Sequence, residues 1–365
     1  MNVRCADCGQ LFSLTTRLWR CECGGVFELS ERPPFNKDKI DTKASTLWRY
    51  RAMLPAIQPE NIISLGEGWT PIVPAQAYGI SCLAKLEFLA PTGSFKDRGT
   101  TVLVSFLKEL GVTEVVEDSS GNAAASLAAY CARAQIRCKI FVPAQASPAK
   151  LAQIRIYGAE LCPIEGPREN SSLAAQQAAQ QAYYASHVYN PLILAGTKTF
   201  AYEVWEQLGR APDHLVFPVG HGTLLLGAYL GFCDLLEAQL IERLPKLHAV
   251  QSEGYAPLYR IYRENLTELP QIVPQPTIAE GIRILRPVRW RAMMSAIRET
   301  GGSVVTVSES EILAAQRELA HQGLYVEPTA AVPIAGLQSL MAVFQTNDQI
   351  LAPLTGSGLK ALALP

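Results

Sequence analysis

An α/β fold, with strands buried beneath helices on both faces, is what this chain predicts. Three observations carry that expectation. Strand-like and helical runs alternate from Cys82 onward. Four strand–loop–helix junctions carry glycine or small polar residues. Two close cysteine pairs lie within the first 25 residues, ahead of the alternation.

The cysteines come first in order. Cys5 and Cys8 form C-x-x-C-G, Cys21 and Cys23 form C-x-C-G-G, and twelve residues separate the pairs. With Leu11, Phe12, Leu18 and Trp19 between them, the pairs have the spacing of a small four-thiolate zinc ribbon over residues 1–30. Two disulfides, or a ribbon that has lost its metal, are the alternatives; a chain without a signal-peptide layout makes disulfides the poorer one. Cys82, Cys131, Cys138, Cys162 and Cys233 lie in apolar or helical surroundings and read mostly as core fillers.

Residues 31–44 are charged and proline-containing (Arg32, Pro33, Pro34, Lys37), as in a linker. A helical stretch, Leu47 to Leu54, precedes the turn Leu65-Gly66-Glu67-Gly68-Trp69-Thr70-Pro71. Next is Pro91-Thr92-Gly93-Ser94-Phe95-Lys96-Asp97-Arg98-Gly99, leading into an apolar helical run. Taken alone, Asp97 and Arg98 could be charged decoration of a helix start, with Arg98 in solvent. The second junction is Glu117-Asp118-Ser119-Ser120-Gly121-Asn122, the third Pro218-Val219-Gly220-His221-Gly222-Thr223 and the fourth Leu354-Thr355-Gly356-Ser357-Gly358. Between the second and third, Ile140 to Val142 reads as strand, Ala149 to Tyr157 as helix, Ala159 to Pro163 as strand and Ser172 to Tyr184 as helix.

Length and charge bound the function. A chain of 365 residues predicts two or three domains. A net charge of -1 gives no electrostatic reason to expect nucleic acid or an anionic membrane as partner. The most apolar run, Gly222 to Leu236, is short for a bilayer and contains Asp234, so it reads as a buried helix, and the cytoplasm is the expected compartment.

Together the junctions offer a lysine amine, an amide, a glycine-lined anion cradle and a hydroxyl, which suits a phosphorylated aromatic aldehyde. With these motifs in this order, the chain resembles the fold-type II pyridoxal-phosphate enzymes, the tryptophan synthase beta-like group, and within it the threonine synthases. The resemblance implies a catalytic region over residues 45–365, built of two three-layer α/β lobes. A smaller, mobile lobe would span about 97–200 and a larger one about 45–96 and 201–365, with pyridoxal 5'-phosphate in the cleft between them. It also implies a structural zinc ion, a homodimer and a small amino-acid substrate. A dinucleotide fold is the competing view of Gly220-His221-Gly222, but the third glycine is out of register for G-x-G-x-x-G.

Residue by residue, the resemblance makes Lys96, beside Phe95, the Schiff-base lysine, and burial in a cleft would favour the neutral amine that such a bond needs. Asn122 corresponds to the asparagine at the cofactor's phenolic oxygen, and Ser119, Ser120 and Gly121 to the loop that receives the substrate carboxylate. Gly220, His221, Gly222 and Thr223 correspond to the phosphate cradle, and Thr355 to the hydroxyl facing the pyridine nitrogen. The bland readings are a solvated lysine, an N-cap cluster at Ser119 to Asn122 and a polar turn at Thr355.

Departures from the family pattern cluster on the substrate side. The segment like N-P-x-R-L-x-G-x-K-T reads Asn190-Pro191-Leu192-Ile193-Leu194-Ala195-Gly196-Thr197-Lys198-Thr199, placing Ile193 where the phosphate-binding arginine stands. His187-Val188 replaces Asn-Ser, Ala123 replaces a hydroxyl residue, and the cradle is G-H-G-T in place of G-N-A-G-N. His187 or His221, when protonated, would be the substitute anion binder. The expected activity is a threonine-synthase-like elimination or replacement with an altered substrate-phosphate site. Its alternatives are a serine/threonine dehydratase, suggested also by Thr277 to Ile282 and Glu327 to Ala331, and a regulatory protein that binds the cofactor without turnover.

Overall fold

The computed structural model describes residues 1–146 and 148–360. In chain order the strands are β1 (Asn2–Cys5), β2 (Leu11–Ser13), β3 (Phe27–Leu29), β4 (Ile72–Ala77), β5 (Ile80–Lys85), β6 (Glu114–Glu117), β7 (Arg137–Pro143), β8 (Glu160–Ile164), β9 (Tyr183–Tyr184), β10 (His214–Pro218), β11 (Lys246–Ser252), β12 (Val304–Val307) and β13 (Ile350–Pro353). The helices that matter for the site are α1 (Lys96–Glu109), α2 (Asn122–Ala134), α3 (Pro148–Ile156), α4 (Arg168–Ala178), α5 (Pro191–Thr197), α6 (Thr199–Leu208) and α7 (Thr223–Glu237). Two compact units divide the chain: Met1–Gly68 with Ala90–Thr197, and Trp69–Leu89 with Lys198–Pro365.

The first unit holds two sheets. One is a three-stranded antiparallel sheet, β2-β1-β3, which carries the cysteine pairs; the other is a four-stranded parallel sheet, β8-β7-β6-β9. Val115, Ile140 and Val142 of the parallel sheet share one core with Leu103 and Leu107 of α1 and Leu127 and Tyr130 of α2, and Val3 and Phe27 of the small sheet join it. Trp19 stands edge-on to Tyr184 and Tyr189, with ring centroids 5.5 and 4.7 Å away. Glu67 is fully buried among donors: Trp48 Nε1 at 3.1 Å, Tyr130 Oη at 2.6 Å, Ser64 Oγ at 2.9 Å and the Leu65 N–H at 2.8 Å. That satisfies a carboxylate whose burial would otherwise be costly.

The second unit is built on a six-stranded sheet, β12-β11-β10-β13-β5-β4. All its pairings are parallel except β4 with β5, so the sheet is mixed where the alternation predicts parallel strands. The physical reason lies in two residues. Tyr78 (φ 53°) and Gly79 (φ 75°) are both left-handed and close a two-residue hairpin between Ala77 and Ile80, a turn that permits only antiparallel pairing. Lys85, at the end of β5, is fully buried on Glu203 of α6 (3.1 Å) and also donates to the Thr70 carbonyl (2.7 Å).

Two further expectations change. The helix expected over 172–184 is α4 at Arg168–Ala178, and Tyr183-Tyr184 is strand, because these two β-favouring residues pair in register with Val115 and Val116. Arg98 is 1% exposed, which removes the reading of it as a solvated helix-start charge. The fifteen residues of α7 match the expected buried helix, and no described helix is long and apolar enough to cross a membrane.

A close helix approach in the first unit is made by α1 and α5. A Cβ on Gly196 would stand 2.0 Å from the Arg98 carbonyl oxygen, and one on Gly99 would stand 2.9 Å from Cγ2 of Ile193. Backbone cannot yield as a flexible side chain would. Gly196→Ala should therefore destabilise the protein by at least about 2 kcal/mol, read as a lowered urea midpoint at unchanged slope. An unchanged midpoint would show that the helices separate at little cost.

Candidate active site

In the first unit, β6 and β9 are parallel neighbours; Ser119 to Ala123 follow the C-terminal end of the first, and His187 and Ile193 that of the second. Ligand sites gather at such ends because loops and helix N-termini converge there. Lys96 is the first residue of α1; its half-buried side chain places Nζ 4.4 Å from the Phe95 ring centroid. Asp97 anchors this start. Its Oδ1 accepts from Thr92 Oγ1 and Ser126 Oγ, both at 2.6 Å, and its Oδ2 from the Thr92 N–H at 2.7 Å. The carboxylate thus ties the loop before Lys96 to α2.

Ser119, Ser120 and Gly121 link β6 to α2, with Gly121 as N-cap and Asn122 as first helical residue. Part of this loop serves itself: the Ser119 N–H donates to Glu117 Oε2 (2.5 Å) and the Gly121 N–H to Ser119 Oγ (3.2 Å). Those two N–H groups are therefore already engaged within the loop. Asp118 accepts from Tyr184 Oη at 2.6 Å and from Ser172 Oγ, while Arg168 donates to its carbonyl at 3.0 Å.

Three substrate-side expectations are redrawn. His187 lies three residues past β9, with Nδ1 2.6 Å from Glu117 Oε1. Burial, with the nearby charge of Lys96, lowers its pKa to about 3, so it is no protonated stand-in for an arginine. Ile193, expected at a substrate phosphate, has its Cγ2 methyl directed at Gly99 and is 4% exposed; an aliphatic chain there fills the α1–α5 seam. Ala123 is also buried. The residue that the sequence reading missed is Glu117. A carboxylate at the end of an apolar strand was the available signal.

In the second unit, β10 and β13 are likewise parallel neighbours, and Gly220–Thr223 and Thr355 follow their C-terminal ends. Gly222 (φ 71°) is the N-cap of α7 and offers no capping side chain, and a Cβ there would stand 1.9 Å from Met293 Sδ. A Cβ on Gly220 would meet the backbone of Ile282 at 3.0 Å. His221 is half-buried and Thr223 buried at the helix start. The arrangement is a backbone-lined N-terminus suited to an anion. Among the described residues Thr355 Oγ1 is buried without a hydrogen-bond partner, and Gly356 lets the Glu327 carboxylate close in, since a Cβ there would stand 2.3 Å from Oε1. An orphaned hydroxyl of this kind calls for a ligand atom to complete it. Both features fit a phosphorylated heteroaromatic cofactor.

The cysteine sulfurs of Cys5, Cys8, Cys21 and Cys23 lie within 4.8 Å of one another, Cys5–Cys23 at 3.4 Å and Cys8–Cys21 at 3.6 Å. A tetrahedral ion with Zn–S bonds of about 2.3 Å separates its thiolates by about 3.8 Å. A Cβ on Gly25 would come within 2.5 Å of Cys5 Sγ, so glycine is needed at this turn. Of the remaining cysteines, Cys82, Cys131 and Cys138 are buried and Cys162 and Cys233 half-buried.

The anchor at Lys96 has a pH signature. Burial raises the Asp97 carboxyl from 3.8 to about 6, against the lowering pull of its Ser126 and Thr92 donors. Because the folded value is above the unfolded one, the stability this group contributes is complete below 3.8 and is lost as pH rises through about 6. Between about pH 4 and pH 7 the loss should be about 2 kcal/mol, at about 1.36 kcal/mol per unit. Asp97→Asn should flatten that slope in urea melts at the two pH values. Superimposable slopes would mean that Asp97 ionises normally in the fold.

The comparisons agree with this geometry. Residues 63–356 match the family model described as "Pyridoxal-phosphate dependent enzyme". The chain is 35% identical over 376 residues to the threonine synthase of Methanocaldococcus jannaschii, covering 99% of this chain and 93% of that protein. It is 36% identical over 322 residues to the threonine synthase of Synechocystis sp., covering 85% and 82%. Among solved structures it is similar to a threonine deaminase from T.th., at 26% identity and TM-score 0.66, covering 79% of this chain and 92% of that one. A maize serine racemase, at 21% identity and TM-score 0.66, covers 79% and 88% and shares the fold. The chain belongs to the family of pyridoxal-phosphate dependent enzymes.

Proposed function

We propose that this protein is a pyridoxal-phosphate-dependent lyase of the threonine synthase type, catalysing elimination or replacement on a small amino acid. The reaction of that type converts O-phosphohomoserine and water to threonine and phosphate; the substrate-phosphate side is altered here. The observation that carries the reading is the Thr355 hydroxyl, buried without a partner among the described residues after β13, beside the glycine cradle after β10. A neutral hydroxyl suits a pyridine nitrogen that stays unprotonated, which favours elimination and replacement over transamination.

When bound, the cofactor supplies an electron sink for charge developing at the substrate's α-carbon. Lys96 anchors it and moves the α-proton; Phe95 lies against the amine and Asp97 fixes the turn from which the amine projects. Asn122 is assigned to the cofactor's phenolic oxygen, and the backbone of Gly220, His221 and Gly222 with the Thr223 hydroxyl to its phosphate. The α2 start is assigned to the substrate carboxylate.

The spacing of the four thiols supports a structural zinc ion at Cys5, Cys8, Cys21 and Cys23. The reading carries with it a cytoplasmic homodimer, with neither nucleic acid nor a membrane as partner. A dehydratase that releases ammonia from serine or threonine is the second reading. It is favoured by the aliphatic side chain at Ile193, where a cation is expected, and by the likeness to a threonine deaminase.

Three measurements test these assignments. Protein reconstituted with pyridoxal phosphate should show a visible absorption band and a borohydride-fixed adduct, and Lys96→Ala should lose both; an adduct that persists in the variant removes Lys96 from its role. Incubation with O-phosphohomoserine, O-phosphoserine, serine, threonine and O-acetylserine, scoring phosphate, 2-oxo acid and new amino acid, should show turnover of at least one. No turnover of any would leave the regulatory reading. For the metal, one zinc per chain is expected in reduced protein purified without chelator, and a Cys5–Cys8 disulfide would overturn the ribbon.

A further inference from the structure

The stretch between the two cysteine pairs sends one side chain into the core beside β6. Trp19 stands two residues before Cys21, within residues 14–20, which join no strand. It is half-buried, with the Arg20 guanidinium 4.4 Å from its ring centroid. Beneath it lies a small cluster made by Val116 of β6, Ala175 of α4 and Tyr184 of β9. Its edge-on contacts are to Tyr184 and Tyr189, and those two rings are themselves neighbours at 6.4 Å.

The same elements hold Asp118. Tyr184 Oη donates to its Oδ1 at 2.6 Å, Ser172 Oγ of α4 donates to its Oδ2, and Arg168, the first residue of α4, donates to its carbonyl at 3.0 Å. All three partners come from β9 or α4, against which Trp19 packs. Asp118 is 7% exposed and immediately precedes Ser119, so its anchoring sets where the loop into α2 leaves β6. Turning the Tyr184 hydroxyl away would leave a buried carboxylate short of a donor, and an edge-on indole opposes that movement. We infer that Trp19 is a positioning residue for the loop at residues 119–121, acting through the Tyr184 hydroxyl on Asp118. Packed rings joined to a hydrogen-bonded carboxylate form a continuous physical connection of the kind that carries coupling. The four-cysteine module is by this connection a working part of the amino-acid site.

What the loop binds, a substrate carboxylate, rests on the lyase reading, so the loop and its ligand are measured separately. The Ser119 and Gly121 N–H groups are both hydrogen-bonded within the loop, so hydrogen exchange read by mass spectrometry reports how firmly it is held. In holoenzyme, Trp19→Leu and Tyr184→Phe should each speed exchange across residues 117–122 by at least about tenfold. Trp19→Phe keeps an aromatic edge and should stay near the wild-type rate, and α1 should be unchanged in all three. The ligand measurement compares L-threonine with L-threoninol, in which a hydroxymethyl group replaces the carboxylate. L-Threonine suits both lyase readings, as product of one and substrate of the other. Titrated by rapid mixing against the visible band of the bound cofactor, Trp19→Leu should bind L-threonine at least about tenfold more weakly and L-threoninol as the wild type does.

The double variant tests the connection itself. If Trp19 acts through Tyr184, adding Tyr184→Phe to Trp19→Leu should change the loop's exchange no further, whereas additive effects would mean that the two residues act separately and would overturn the inference. Loop exchange at the wild-type rate in Trp19→Leu would overturn it, as would an effect of Trp19→Phe equal to that of Trp19→Leu, or a change reaching α1 to the same degree. If Trp19→Leu fails to fold, Tyr184→Phe decides, and an unchanged loop in that variant is the overturning result. Faster loop exchange with equal loss of both ligands, or with no binding of L-threonine even by the wild type, would uphold the connection and overturn the carboxylate assignment instead.

Discussion

The burial of Asp97 is the constraint from which the first unit's site residues are assembled. A carboxylate placed at zero exposure must have its oxygens occupied, and the groups that occupy them are Thr92 in the preceding loop and Ser126 in α2. Satisfying that one group sets the loop, the first turn of α1 and the neighbouring helix in a single arrangement. Lys96, one residue earlier, inherits its position from it. The close α1–α5 approach over Gly99 and Gly196 holds the other flank of the same helix.

Each unit repeats one device. Two adjacent parallel strands end together, and the loops beyond them deliver backbone N–H groups and one or two side chains to a common edge. In the second unit the glycines matter because backbone and sulfur stand where a Cβ would be. In the first unit, charge matters more: Glu67, Asp97, Glu117 and Asp118 are all buried, and each carries its own donors. Such a network specifies one arrangement, since losing any donor leaves a charge uncompensated.

The pairing of His187 with Glu117 changes how the family likeness is to be read. Position by position, the sequence shows only that an arginine, an Asn-Ser pair, a hydroxyl residue and a G-N-A-G-N cradle expected of a threonine synthase are replaced. The geometry shows how those positions are packed. Ile193 and Ala123 are buried, and His187 lies against Glu117, which comes from a different strand.

Much was legible in the chain because its signals are local. The order of strands and helices follows from hydrophobic periodicity, Lys96 from its flanking Phe95, Asp97 and glycines, and the thiol cluster from the spacing of Cys5, Cys8, Cys21 and Cys23. Local rules also account for the antiparallel β4–β5 pair, whose Tyr78-Gly79 turn is visible in the sequence though its left-handed angles are not. What the tertiary structure alone decided are relations between distant residues. That Tyr183 and Tyr184 form a strand depends on the edge offered by Val115 and Val116 of β6, far earlier in the chain. That Ile193 packs on Gly99, that Thr355 has no partner among the described residues, and that His187 meets Glu117 all depend on which elements lie side by side. Propensity and motif act over a few residues, whereas burial and pairing are properties of the assembled chain, and the chemistry of the substrate side is written in the second kind.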